Sequence, residues 1–206
     1  MFFVNFNYYF FFRIRENYNN QHQRKFHTSE KFNLSIQNPP KTTNYFELLE
    51  HSINFEVDIK KLSKNHRKLQ VLYHPDKFST KSKEEQEISE NWSALINEAY
   101  STLINPMKRA LYLLEYYGDP LLEKDQPKLD NEFLMEIMEL NEEVDEIDNQ
   151  EDIKTLKDSI NDKINDLHES LMKKFENKDI SQAKIIVAKM QYFHNVKNQL
   201  KEKEYL

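Results

Sequence analysis

The chain has one glycine and no cysteine in 206 residues, and nowhere a long uninterrupted apolar run. Tight β-hairpin turns draw on glycine, so a single glycine leaves little room for an antiparallel sheet. Without cysteine there is no disulfide framework, no thiolate zinc site and no cysteine nucleophile. The most apolar stretch, residues 2–12 (FFVNFNYYFFF), is too short and too polar to span a bilayer. Excess positive charge is also missing: the net charge is −6, which argues against broad nucleic-acid binding, where phosphate neutralisation needs clustered cations. Charged residues make up 31% of the chain, a composition suited to helices joined by short turns. The length suits one or two domains.

The N-terminus is set apart by charge. Residues 1–29 hold Arg13, Arg15, Arg24 and Lys25 against the single acid Glu16, so they carry +3 and the rest of the chain −9. Acid-poor, arginine-bearing, partly apolar leaders are typical of matrix-targeting presequences. The segment RKFHTS resembles the matrix processing pattern of Arg, one residue, Phe, then Ser three further on. A secretory signal is the rival reading; it would have a cleaner apolar core preceded by its arginines. We therefore expect a mitochondrial transit peptide over residues 1–33, a polar spacer over 34–43, and a folded region beyond, in the mitochondrial matrix.

That region reads as helices throughout. NYFELLEHS begins a short helix with Asn44 as its N-cap. A longer helix runs over residues 57–73. Its stripe of Ile59, Leu62, Leu69 and Tyr73 has spacings of three, seven and four, and His66 lies on the same stripe as an expected packer at the core edge. The opposite face carries Lys60, Lys61, Lys64, Arg67 and Lys68. A charge run is usually a solvated face, but one built only for solubility mixes signs, and no acid occurs here. Pro75 ends the helix. After the loop KFSTKSKEEQ, a helix over 84–104 presents Ile88, Trp92, Leu95, Ile96, Ala99, Tyr100 and Leu103 on one stripe, which makes an antiparallel hairpin with its predecessor. Pro106 opens a further helix over 107–117, and Gly118-Asp119-Pro120 closes it at a domain boundary. Three more amphipathic segments follow: Phe133 to Ile147, Ile153 to Phe175, and Ile180 to Phe193. Short connections make them a small bundle.

Between the paired helices stands His74-Pro75-Asp76, followed by Lys77-Phe78. A given tripeptide occurs by chance in roughly one chain in forty of this size, so its setting must decide. A loop of a helical hairpin, behind a basic helix, is a specific setting. A catalytic His–Asp pair is the enzymatic alternative, opposed by the absence of a nearby nucleophile, ligand set or pocket-forming glycine. Together NYFELLE, HRKLQVLYHPDKF and INEAYSTLINPMKRALYLL resemble the J domain, the module that activates DnaK-type heat-shock ATPase chaperones. The resemblance implies that His74, Pro75, Asp76 and Lys77 form the activating corner, with Asp76 the position most directly tied to triggering hydrolysis in the partner. It implies that Lys60, Lys61, Lys64, Arg67 and Lys68 dock on an acidic surface of the ATPase, and that this chain is not itself an enzyme.

The second half narrows the family. On the helix DNEFLMEIMELNEEVDEI, Phe133, Ile137, Leu140, Val144 and Ile147 cluster within about 80° of one another, and Leu134, Met135 and Met138 point roughly 100–200° from that centre. A bundle helix needs one apolar face, so the surplus meets another helix, lies bare, or binds something; methionine suits an adaptable binding surface. This segment, and the layout of a J domain followed by a three-helix bundle, resemble the HscB-type co-chaperones of iron–sulfur cluster assembly. The resemblance implies that Leu134, Met135, Met138, Glu139 and Glu142, with Tyr192 on the last helix, contact the cluster scaffold protein. Some eukaryotic members carry paired cysteines in a zinc-binding N-terminal extension; none occur here, so no metal and no cofactor are expected. The expectation is thus an all-α protein with a J domain over 44–118 and a scaffold-binding bundle over 119–206, whose partners are a mitochondrial DnaK-type chaperone and the scaffold, with no nucleic acid or membrane. A general J protein of import or refolding, and an adaptor with an inactive J domain, are the alternatives.

Overall fold

The structure is a computed structural model that describes residues 36–40 and 42–203, all within one compact unit. The transit peptide expected over residues 1–33 lies outside the described residues. Among those residues every element is helical. Helix α1 spans Tyr45–Leu48, α2 Ile59–Tyr73, α3 Lys83–Ile104, α4 Pro106–Tyr116, α5 Asn131–Glu146, α6 Gln150–Glu176 and α7 Ile180–Lys203, and a 3₁₀ turn covers Pro75–Phe78.

Helix starts follow side-chain chemistry. An N-cap oxygen satisfies an amide that has no partner within the helix. Asn44 accepts from the Phe46 amide at 2.9 Å, Asp58 from Lys61 at 3.0 Å, Asn105 from Lys108 at 3.0 Å and Asp130 from Phe133 at 2.8 Å. Ser82 and Glu85 form a reciprocal capping box that starts α3. Gly118, with φ of 81°, ends α4, where the Asp119 amide reaches back to the Leu114 carbonyl at 3.0 Å.

Helices α2 and α3 run antiparallel. Tyr73 stacks on Trp92 with ring centroids 4.7 Å apart, and one end further His66 stacks on Tyr100 at 4.3 Å. His66 is therefore the edge packer anticipated; its Nε2 lies 2.9 Å from Asn97 Oδ1. Leu62, Leu69, Trp92, Ile96, Ala99 and Leu103 are buried between the helices and α4. One stripe position is corrected: Ile59 is 55% exposed. It occupies the first turn, ahead of Leu62, the first residue α2 buries. Asn65 is buried in the same helix, where its Nδ2 donates to the Leu49 carbonyl at 2.8 Å.

In the bundle, Phe133, Ile137, Leu140 and Val144 of α5 pack with Ile153, Leu156, Ile160 and Ile164 of α6 and Phe193, Val196 and Leu200 of α7. The two halves share an apolar junction. Phe55, from the loop between α1 and α2, is buried against Phe175 at 5.7 Å and His168 at 6.0 Å, and the Arg109 guanidinium lies 5.0 Å above its ring. Burial pushes Arg109 down to about 10. Lys184, itself buried, clamps the segment after Gly118 by pairing with Asp119 at 2.7 Å and Asp125 at 2.9 Å.

Candidate functional site

Two surfaces stand out. The first is the corner between α2 and α3. Proline disfavours helical geometry in the residue before it, and His74 is extended at φ −62°, ψ 132°. Pro75 then opens the 3₁₀ turn, in which the Lys77 amide donates to the His74 carbonyl at 3.0 Å. The His74 Nδ1 accepts from the Asp76 amide at 3.3 Å and lies 3.5 Å from the Asp76 carboxylate. The side chains are 52% and 90% exposed, so that pairing is weak and the Asp76 carboxylate projects into solvent. The loop behind it is tied down: Ser79 Oγ donates to the Asp76 carbonyl at 2.9 Å, and the Gln86 amide donates to the carbonyls of Ser79 at 3.1 Å and Lys81 at 3.0 Å.

Along α2, Lys60, Lys61, Lys64 and Arg67 are exposed, as is Lys77 in the corner itself. Lys68 is half-buried, and its ammonium donates to Asn65 Oδ1 at 3.2 Å, so it serves the α2 core as well as the basic face. Val71, 57% exposed, continues the ridge of Lys60, Lys64 and Arg67. The reading of charges passed over it, although its spacing of four from Arg67 placed it there.

The second surface is the outer side of α5. Leu134, Met135 and, one turn on, Met138 are 36%, 61% and 63% exposed, on a helix whose other stripe is buried. Glu139 and Glu142 are exposed beside them. Tyr192, 40% exposed on α7, meets Phe133 of α5 edge-on at 5.9 Å. The surplus apolar face is therefore bare, not covered by a neighbouring helix. The helix carrying it is anchored at its start, where Lys189 bonds Asp130 at 2.7 Å and draws that carboxyl below its ordinary value. Among the described residues, no group of three or more His, Cys, Asp and Glu is placed to hold a metal ion, and no helix is long and apolar enough to cross a membrane.

A helical hairpin with an exposed His-Pro-Asp corner and a cationic flank, followed by a helical bundle, defines a J-domain co-chaperone with a C-terminal extension. The DnaJ domain model matches residues 44–112, and the model described as the HSCB C-terminal oligomerisation domain matches residues 129–201. The iron-sulfur cluster co-chaperone protein HscB of Homo sapiens is 37% identical over 170 residues, 82% of this chain and 72% of that protein. The crystal structure of human HscB superposes with a TM-score of 0.80 at 35% identity, over 86% of this chain and 92% of that one. HscB from Vibrio cholerae gives 0.70 at 30% identity, over 79% and 98%. The chain belongs to the HscB family.

Proposed function

We propose that this protein is a co-chaperone of iron–sulfur cluster assembly in the mitochondrial matrix, holding the cluster scaffold protein with its bundle and activating a DnaK-type ATPase with its J domain. Residues 44–118 are the activating domain and 119–206 the scaffold-binding domain. The basic ridge of α2 steers the ATPase onto the hairpin, and such rim charges act mainly on encounter rate and salt dependence. Asp76, held outward by Pro75 and the 3₁₀ turn, contacts the hydrolysis-competent state. Activation follows from binding that state better than the resting one. The chain performs no chemistry. Clamping of the chaperone on the bound scaffold then favours cluster transfer. The name of the human relative supports the pathway, and the leader composition supports the compartment.

The observation that carries the scaffold assignment is the bare strip of Leu134, Met135 and Met138, with the exposed Tyr192 on the neighbouring α7. Its acidic border, Glu139 and Glu142, favours a partner that combines an apolar patch with cations. Calorimetric titration of the scaffold tests it. Replacing Leu134, Met135 and Met138 together by alanine weakens binding by about tenfold or more, the effect expected for central apolar anchors. Each substitution alone alters stability by less than about 0.5 kcal/mol, because the side chains are exposed. Undiminished affinity of the folded triple variant would contradict the assignment. A second copy of the chain is the other occupant to consider, given the description of the matched C-terminal model. Sedimentation of the unmodified and triple variants across a dilution series separates the two.

A further inference from the structure

The short segment ahead of α1 reads from sequence as a spacer, yet it lies against α3. The Trp92 indole Nε1 donates to the Gln37 carbonyl at 2.7 Å, and Asn91 donates to Asn38 Oδ1 at 3.2 Å. Thr43 Oγ1 closes the far end on the Pro40 carbonyl at 2.8 Å. Trp92 is 1% exposed, and its ring stacks on Tyr73. Tyr73 is the last residue of α2 and immediately precedes His74. The line of contact therefore runs from the segment through Trp92 and Tyr73 to the activating corner. The matched DnaJ model begins at residue 44 and leaves the segment out.

We propose that residues 36–40 form a strap that positions the His74-Pro75-Asp76 corner through Trp92 and Tyr73, so that the chaperone-activating unit of this protein begins ahead of the J-domain module. A buried indole N–H without an acceptor is costly, and the Gln37 carbonyl supplies that acceptor. Two prolines, Pro39 and Pro40, restrict the segment and reduce the entropy lost in laying it down. Without the strap, Trp92 loses that acceptor and part of its cover, and its packing against Tyr73 loosens. The corner then samples more orientations, while the basic ridge of α2, on another face, is unchanged. The strap residues are positioning residues; they do not touch the ATPase.

The inference rests on the activating role proposed above, and the test separates the two. Trp92 is the chain's single tryptophan, so its fluorescence reports the strap directly. The variants are the full chain lacking residues 36–40, and the milder Pro39→Gly/Pro40→Gly. In the deletion, acrylamide quenching of Trp92 rises and its emission moves to the red. Amide exchange accelerates at Lys77 and Lys81, whose N–H groups bond within the corner, and not in α5–α7. Maximal stimulation of a DnaK-type ATPase falls about fivefold, the worth of one buried hydrogen bond, and the half-saturating concentration moves by less than about twofold. Scaffold binding is unchanged. The double glycine variant moves each quantity the same way by less. Native quenching and exchange in both variants would overturn the strap. So would exchange that accelerates equally across the bundle, or full stimulation by a folded variant whose Trp92 is exposed. Failure of the unmodified chain to stimulate the ATPase would overturn the activating role instead, and leave the quenching and exchange results to decide whether the strap orders the corner.

Discussion

Asp76 and His168 show how neighbours decide what a titratable side chain can do. Asp76 is 90% exposed, and its turn holds it chiefly by the backbone with only a weak contact from His74 to the carboxylate, which is left for a partner. His168 is turned inward at the junction of the two halves, against Phe55, with Arg109 of α4 and His194 of α7 as the charged and titratable groups around it. Burial first, then His194 and Arg109, lower its pKa below the ordinary 6.5. Burial and Lys197 lower His194 in the same direction. Between the lowered and the ordinary value, the unfolded chain binds more protons than the folded one, so stability rises with pH across that window. The melting temperature should fall as pH drops from about 7.5 to about 5.5, and His168→Gln should make the slope shallower. The lowered carboxyls of Asp130 and Asp179 act only in more acid solution, below their ordinary 3.8. A melting temperature that is flat across that interval, or a slope unaffected by the substitution, would contradict the junction as described.

At the scale of elements, α2 and α5 are each two-faced. Helix α2 buries Leu62, Asn65 and Leu69 and exposes Lys60, Lys61, Lys64 and Arg67; α5 buries one apolar stripe and exposes another. Charge reversal of Lys60, Lys64 and Arg67 to glutamate should raise the half-saturating concentration for ATPase stimulation about tenfold at low ionic strength, with the gap narrowing in about 0.5 M salt. A salt-independent effect would mean that the ridge acts through something other than charge. Much of this scale was legible in advance. The cap Asn44, the break at Pro75 and the buried α5 stripe follow from side-chain chemistry and period alone. The bareness of the second α5 stripe did not, because periodicity shows that a face is apolar without showing what lies against it. Ile59 was misplaced for a related reason: it keeps the helical spacing, but it is the first residue of α2 and burial begins only at Leu62.

For the molecule as a whole, the two domains expected to meet at Gly118 lie within one compact unit. Phe55, from a loop with no period to reveal it, plugs into the bundle beside Phe175, and Lys184 holds the connecting segment through two carboxylates. No local pattern in the chain announces either contact, since both join residues far apart in sequence. The strap over residues 36–40 escaped for the same reason. The consequence is an exposed corner and a bare apolar strip built on one compact unit, each with its own surface.

The direct measurement of that arrangement is the ATPase rate of a DnaK-type chaperone, without scaffold, titrated with three forms of this protein. The account predicts that the unmodified chain and the Leu134→Ala/Met135→Ala/Met138→Ala variant stimulate equally, and that Asp76→Ala does not stimulate while still binding the scaffold. Stimulation by folded Asp76→Ala, or its loss in the folded α5 variant, would contradict it.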